Sequence, residues 1–119
     1  MKDLSFFTKV FLATTAVDFR KQARGLSVLA EGIFETSVSC DRTIFVFTNK
    51  RRDAVRLLYW DITGFAMWSK NLEKDKFKWP KLHDSKKIFL SSKELKWLLQ
   101  GVDLSKIKMH EPVKFSKLS

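Results

Sequence analysis

Cysteine and histidine are scarce in this chain of 119 residues, which contains one cysteine, Cys40, and two histidines, His83 and His110. A single cysteine cannot close an internal disulfide, and these three residues cannot complete a four-ligand zinc site among themselves. The sequence therefore argues against a disulfide framework or a zinc scaffold as the basis of the fold.

Long apolar runs are also lacking, because no stretch approaches the roughly 20 apolar residues that a membrane-spanning helix needs. The apolar residues near the N-terminus are interrupted by Lys9, and they lead into Asp18, Arg20 and Lys21 rather than into a small-residue cleavage site. We therefore expect a cytoplasmic protein that has neither a signal peptide nor a membrane partner.

Basic residues are abundant, since 23 lysines and arginines stand against 13 acidic residues and give a formal net charge of +10. The excess lies in the middle and at the end of the chain. Residues 49–90 carry 11 basic and 5 acidic groups, residues 91–119 carry 6 and 3, and residues 1–48 carry 6 and 5. A basic domain of this size concentrates anions around itself, which favours an anionic partner.

The length, with 45% apolar and 30% charged residues, is typical of one globular domain. We expect that domain over residues 1–105, followed by a basic, mobile tail over residues 106–119. The patterns within the domain predict an α+β fold that has an antiparallel sheet of about four strands, a central hairpin and two helices.

The first half of the chain predicts a strand, a helix and a second strand. Alternation indicates a strand over residues 9–14, and apolar residues at helical spacing predict a helix over residues 19–34 with Asp18 as its N-cap. Asp18 next to Arg20 and Lys21 is thus explained as a helix cap followed by a solvated basic turn. Residues 36–43, which include Cys40, predict a loop, and residues 44–47 predict a central strand covered on both sides.

A hairpin follows, with a strand over residues 54–60 and a turn over residues 61–64. A three-residue loop with Gly64 in the left-handed conformation would place Asp61 opposite Phe65. By the two-residue alternation of strands, one face is then core and contains Val55, Leu57, Tyr59, Phe65 and Met67. The other face is basic and aromatic and contains Arg56, Leu58, Trp60, Ala66, Trp68 and Lys70.

The C-terminal part predicts a second helix. Ser91 and Glu94 have the spacing of a capping box, apolar spacing continues the helix over residues 92–100, and Gly101 is placed to end it. Trp97 lies on the polar side of this helix and is a candidate anchor for a protein partner. The alternative is that the tail packs over Trp97.

No pattern of catalytic or metal-binding residues stands out. The chain has no HExxH or CxxC motif and no glycine-rich phosphate-binding loop. Asp53, Asp61 and Glu73 resemble the carboxylate trio of a metal nuclease, but turn formation accounts for Asp61 and neighbouring basic residues would pair with the other two. We therefore predict no catalytic residue, no metal site, no cofactor and no enzymatic activity.

The basic and aromatic face of the hairpin is the main candidate site. Lysine and arginine neutralise phosphates, and exposed aromatic rings stack on unpaired bases. With the turn before the hairpin and the lysine-rich segment after it, the candidate nucleic-acid-binding residues are Lys50, Arg51, Arg52, Arg56, Trp60, Trp68, Lys70, Lys74, Lys76, Lys78 and Trp79. The alternative is that a helix covers Trp60 and Trp68 as core.

Three blocks of sequence, in their order and spacing, point to a known family. They are residues 17–21 (VDFRK) with Gly25 and Leu26, residues 45–80, and residues 90–103 (LSSKELKWLLQGVD). The most specific positions are Asn49, Arg51, Arg52, Asp53, Leu57, Leu58, Tyr59, Trp60, Asp61, Gly64, Phe65, Trp68, Lys70, Leu72 and Glu73. The chain resembles the TnpB-type accessory family of IS66-type bacterial insertion sequences. It departs from the family at Ile62 and Thr63, where smaller turn residues are frequent, and at Asp75, where glycine is common.

The resemblance implies a non-catalytic accessory protein that assists transposition beside a separate DDE transposase. This accessory family is distinct from the RNA-guided nuclease that shares the TnpB name. The resemblance assigns no catalytic residue. Together with the charge, it leads us to expect binding of DNA, at the element ends or nonspecifically, through the hairpin. The alternative is a module that docks on the transposase without contacting DNA.

Overall fold

A five-stranded sheet in the spatial order β4-β3-β2-β1-β5 forms the centre of the fold. The structure is a computed structural model that describes residues 3–34, 42–79 and 87–103. Its strands are β1 (Lys9–Ala13), β2 (Thr43–Thr48), β3 (Ala54–Asp61), β4 (Gly64–Asn71) and β5 (Lys87–Leu90). Its α-helices are α1 (Ala23–Phe34) and α2 (Ser92–Leu99), and a 3-10 helix covers Leu4–Phe6.

The sheet is mostly antiparallel, with one parallel pair. β1 and β2 run in the same direction and are joined through α1, whereas β1 with β5, β2 with β3 and β3 with β4 are antiparallel. The α+β class with two helices is confirmed, and the sheet has one strand more than expected. Within the described ranges, no helix has the length and apolar character needed to cross a membrane.

Each face of the sheet is covered by a helix. On one side, here called the α1 face, Phe11, Phe45, Phe47 and Leu58 pack against buried side chains of α1. The opposite side, the α2 face, carries Val10, Leu12, Ile44, Val46 and Leu57 beneath α2. All six residues of β2 are buried, which confirms that this apolar run is a central strand covered on both sides.

Helix α2 begins as its sequence predicts. The Ser91 hydroxyl accepts a hydrogen bond from the Glu94 backbone N–H at 3.0 Å, and the Glu94 carboxylate accepts one from the Ser91 N–H at 2.7 Å. This reciprocal pair satisfies two backbone donors that no helical carbonyl can reach. The helix ends at Leu99, and Gly101 follows with a φ of 90°, so its predicted role in ending the helix is confirmed.

Helix α1 begins later than predicted. Asp18 is not its cap, because the Asp18 carboxylate accepts hydrogen bonds from the Arg20 backbone at 2.9 Å and from the Arg20 guanidinium at 2.8 Å. The Val17 N–H donates to the Thr48 carbonyl at 2.9 Å, which holds this part of the chain extended beside β2. Residues 18–22 therefore form a turn, and α1 starts at Ala23.

Strand β5, which has only four residues, was not among the predicted strands. Ile88 and Leu90 are buried in the core of the α2 face, and the strand is defined by pairing with β1, a contact that spans most of the chain. The predicted loop around Cys40 lies largely outside the described residues, although Thr43 belongs to β2. The predicted tail over residues 106–119 also lies outside them.

The predicted register of the hairpin is wrong by one residue. Asp61 pairs with Gly64 and Trp60 with Phe65, so the loop has two residues, and the positive φ of 53° falls on Ile62 rather than on Gly64. A shift of one residue moves every side chain of a strand to the opposite face. Trp68 and Lys70 therefore lie on the α2 face, whereas Arg56 and Trp60 lie on the α1 face. The single basic and aromatic face does not exist.

Residues 72–79, here called the strap, cross the end of the sheet after β4. The Leu72 N–H donates to the Asp53 carbonyl and the Phe77 N–H to the Arg52 carbonyl, both at 2.7 Å. At the far end of the strap, the Trp79 indole N–H donates to the Ala13 carbonyl at 2.8 Å. The strap thus runs from β4 across to β1, over the end of the sheet where β1 and β2 terminate.

Candidate nucleic-acid interface

Three basic segments meet at the carboxyl ends of the parallel strands β1 and β2. They are the loop 17–21 after β1, residues 49–56 at the turn between β2 and β3, and the strap, and together we call them the basic rim. The rim contains nine basic residues, Arg20, Lys21, Lys50, Arg51, Arg52, Arg56, Lys74, Lys76 and Lys78, against the four acidic residues Asp18, Asp53, Glu73 and Asp75. Residues that are distant in the sequence therefore form one positively charged end of the molecule.

The turn between β2 and β3 is built around Asn49. Its side-chain amide donates to the Asp53 carboxylate at 2.7 Å, and its side-chain carbonyl accepts from the Ala54 N–H at 3.2 Å. Arg52 closes the turn with a φ of 59° and an N–H that donates to the Asn49 carbonyl at 3.0 Å. This bracing turns Lys50 and Arg51 outward, and both side chains are exposed.

The strap presents its lysines by alternation. Phe77 and Trp79 are only 2% and 6% exposed and pack in the core of the α2 face, so the residues between them point to solvent. Lys74, Lys76 and Lys78 are all exposed. Lys78 lies 3.8 Å from the Asp75 carboxylate in a solvent-exposed pair, which contributes little and leaves the lysine accessible to an anion.

The loop 17–21 is held in place by a residue of β3. The Arg56 guanidinium donates to the Lys21 carbonyl at 2.9 Å and lies over the Phe19 ring, 4.5 Å from its centre. Within the same loop, hydrogen bonds from the Arg20 side chain and backbone lower the pKa of Asp18 to about 2. Asp18 is therefore ionised at neutral pH, and its charge is balanced by Arg20.

An open cleft of about 630 Å³ separates this loop from the turn between β2 and β3. One wall comes from the segment after β1 and the other from the turn, and the lining residues are Ala16, Val17, Asp18, Phe19, Asn49, Lys50 and Arg51. The cleft therefore has a mainly apolar wall opposite two exposed cations.

Four of the candidate residues lie elsewhere or serve the fold. Trp79 is buried, and the Lys70 ammonium donates to the Leu99 carbonyl at 2.9 Å, at the negative end of α2. Trp68 is half-buried against the α2-face core. Trp60 is half-buried on the α1 face in an edge contact with Phe65, their ring centres 5.0 Å apart. The structure therefore does not place these three tryptophans together as a stacking surface.

Sequence reasoning also missed residues that belong to the rim. Phe19, Arg20 and Lys21 were assigned to a helix and a solvated turn, yet they lie in the loop that Arg56 holds at the rim, and Phe19 lines the cleft with Lys50 and Arg51. One signal was available, because residues 17–21 form one of the three blocks that carry the family resemblance. Their meeting with residues 49–53 depends on the pairing of β1 with β2, which no local pattern shows.

Trp97 lies away from the rim, in α2. It is half-buried against the core of the α2 face, and the Lys93 ammonium lies 5.2 Å from its ring centre. The ring is therefore partly accessible, and its predicted role as an anchor for a protein partner stays a prediction.

The structure separates the carboxylates that might have formed a metal site. Asp53 precedes β3 and Asp61 ends it, so the two lie roughly 25 Å apart at the rise of an extended strand. Among the described residues, no group of three or more histidine, cysteine or acidic side chains could hold a metal ion.

Comparison with known proteins identifies the family. The model of the family described as IS66 Orf2-like protein matches residues 8–109. The chain therefore belongs to the IS66 Orf2-like family, whose members are accessory proteins of insertion sequences. This confirms the resemblance that the three sequence blocks carry.

Two relatives come from Sinorhizobium fredii (strain NBRC 101917 / NGR234). The uncharacterized protein y4jC is 36% identical over 106 residues, which cover 89% of this chain and 88% of the relative. The uncharacterized protein y4hO is 25% identical over 95 residues, which cover 80% and 81%. No solved structure matches the chain.

Proposed function

We propose that this insertion-sequence accessory protein assists DNA transposition by binding nucleic acid through the basic rim. The observation that carries the proposal is the meeting of three basic segments at one end of the sheet. Phosphate contacts supply the sequence-independent part of nucleic-acid binding, and they require accessible cations on one continuous surface. The rim provides such a surface.

The side chains of Lys50, Arg51, Lys74 and Lys76 are its best phosphate ligands. All four are exposed, and among the described residues their side chains have no hydrogen-bond or ion-pair partner. Lys78 is a fifth phosphate ligand, since its pairing with Asp75, the one it makes within the described ranges, is long and exposed. Arg52 and Arg56 contribute charge, but their side chains and backbone also brace the turn and the loop.

Salt dependence tests this proposal. Five phosphate contacts predict that log affinity for duplex DNA falls with log salt at a slope of about −4 to −5, or several hundred-fold between about 50 and 200 mM salt. Fluorescence anisotropy with labelled DNA measures this slope directly. Absence of binding at about 50 mM salt, despite the charge of +10, would contradict the proposal.

A second candidate function is docking on the element's transposase through α2. The half-buried Trp97 ring and the exposed Val102 beside it favour this role, because accessible aromatic and apolar side chains anchor protein interfaces. Such an interface should respond weakly to salt. Co-purification with the transposase that persists at high salt and is lost in Trp97→Ala would support it.

A further inference from the structure

The cleft between the loop 17–21 and the turn 49–53 has two chemically different walls. Val17 and Phe19 provide apolar and aromatic surface on one side, whereas Lys50 and Arg51 provide positive charge on the other. Its volume of about 630 Å³ lies within the range of small-molecule sites. A ligand that fits both walls has a flat apolar part and an anionic part.

The polar side chains of the cleft other than Lys50 and Arg51 are already engaged by contacts within the fold. The Asn49 amide is bonded to Asp53 and Ala54, and both oxygens of the Asp18 carboxylate accept from Arg20 at 2.8 to 3.1 Å. These bonds hold the two side chains toward the fold, so stacking and charge are the main contacts that the cleft offers to a ligand. A ligand would therefore be held by its flat surface and its charge, without discrimination among bases.

Phe19 is held by a contact from outside the cleft. Arg56 lies over its ring at 4.5 Å, and the ring is half-buried against the α1-face core while it also lines the cleft. Because the guanidinium fixes the ring, little side-chain freedom remains to be lost when a base packs against it.

We infer that the cleft receives one unpaired nucleotide, with its base against Val17 and Phe19 and its phosphate beside Lys50 and Arg51. The inference rests on the proposed function, and it names the form of nucleic acid that the rim prefers. A base within a duplex is stacked on both sides and cannot present its face to Phe19. The protein therefore prefers DNA with a single-stranded end or gap over a blunt duplex, and it does so without sequence preference.

The test compares labelled probes that carry the same number of phosphates, namely a blunt duplex, a duplex with a short overhang and a mixed-sequence single strand. The wild-type protein should bind the overhang and single-stranded probes roughly ten-fold more tightly than the blunt duplex. Phe19→Leu keeps apolar volume but removes the aromatic face, so it should abolish the preference and bring the affinity for the overhang and single-stranded probes close to that for the blunt duplex. The matched control Phe65→Leu changes a half-buried aromatic at the opposite end of the sheet and should retain the preference.

A second measurement uses only the wild-type protein, so it does not depend on the folding of a variant. Single strands that contain a photoreactive iodinated uracil are crosslinked to the wild-type protein, and the modified peptide is identified by mass spectrometry. The crosslink should map to residues 17–21. Equal affinity for all three probes, or a crosslink elsewhere, would overturn the inference while the proposed function stands. If no probe binds at about 50 mM salt, the proposed function fails as well.

Discussion

The Arg56 guanidinium lies 4.5 Å from the centre of the Phe19 ring and donates a 2.9 Å hydrogen bond to the Lys21 carbonyl, 35 positions earlier in the chain. One nitrogen of the same group, Nε, is buried without a hydrogen-bond partner within the described residues. Arg56 was predicted to contact phosphate directly. These contacts make it a positioning residue that joins the loop 17–21 to β3.

Arg56→Lys tests this role because it keeps the charge and removes the planar group. A lysine cannot both cover the Phe19 ring and hold the Lys21 carbonyl, so we expect a loss of about 1 kcal/mol in the free energy of unfolding. Hydrogen exchange of the amides in residues 19–21 should accelerate, whereas the salt slope of DNA binding should change little. Unchanged exchange would show that the loop does not depend on Arg56.

Trp79 was predicted to contact nucleic acid, but its burial makes it a structural residue. Trp79→Phe keeps most of the apolar volume and leaves the Ala13 carbonyl without its donor, which should cost about 1 to 3 kcal/mol in urea unfolding. DNA affinity of the folded variant should match that of the wild-type protein. Lost binding with unchanged stability would return Trp79 to the interface.

Ile62 occupies the tip of the β3–β4 hairpin with a φ of 53° and is 80% exposed. A β-branched residue is strained in the left-handed region, whereas asparagine tolerates it. Because Ile62 has little packing to lose, Ile62→Asn should stabilise the protein by about 1 kcal/mol and raise Tm by a few degrees. Val28→Asn is the control, since Val28 is 67% exposed but has helical backbone, and it should give no gain. A lower Tm for Ile62→Asn would contradict the strained turn.

The Asp18–Arg20 pair predicts a pH dependence of stability. Hydrogen bonds from Arg20 lower the folded-state pKa of Asp18 from 3.8 to about 2, so the pair stabilises the protein above about pH 4. That contribution is lost as the pH falls from about 4 to 2, and it is small because the pair is exposed.

Thermal melts of the wild-type protein and Asp18→Asn at about pH 2, 4 and 7 check this sign. The wild-type protein should be the more stable at pH 7, and the difference should disappear near pH 2. A difference that stays constant over the whole range would show that the carboxylate charge plays no part.

Short sequence patterns correctly predicted the elements whose structure is determined by residues within the same short segment. The capping box at Ser91 and Glu94 satisfies its own backbone groups, and the apolar run in β2 can only be buried. The hairpin register failed because the turn preference of Gly64, worth about 1 kcal/mol, competes with the packing of whole side chains, worth about 1.5 to 3 kcal/mol each. The observed register places Phe65 and Met67 against the α1-face core and Trp68 against the α2-face core.

The candidate site was predicted only in part for the same reason. The exposed basic residues of the turn and the strap could be predicted from the sequence, because their exposure depends on their position within each short segment. The position of Val17 and Phe19 opposite Lys50 follows from the parallel pairing of β1 with β2. That pairing joins segments about 30 residues apart through α1, and no pattern of spacing within either segment reveals it.

If the basic rim, and not the overall charge, binds nucleic acid, cations at the rim should matter more for DNA affinity than cations elsewhere. The most direct measurement compares the DNA affinity of two triple-alanine variants that lose the same charge, Lys50/Arg51/Lys76 at the rim and Lys9/Lys93/Lys96 away from it. All six side chains are exposed, so both variants should fold. The rim variant should bind at least ten-fold more weakly, with a salt slope reduced by about 2 to 3, whereas the control should bind nearly as the wild-type protein does. Equal weakening in the two variants would contradict a defined site.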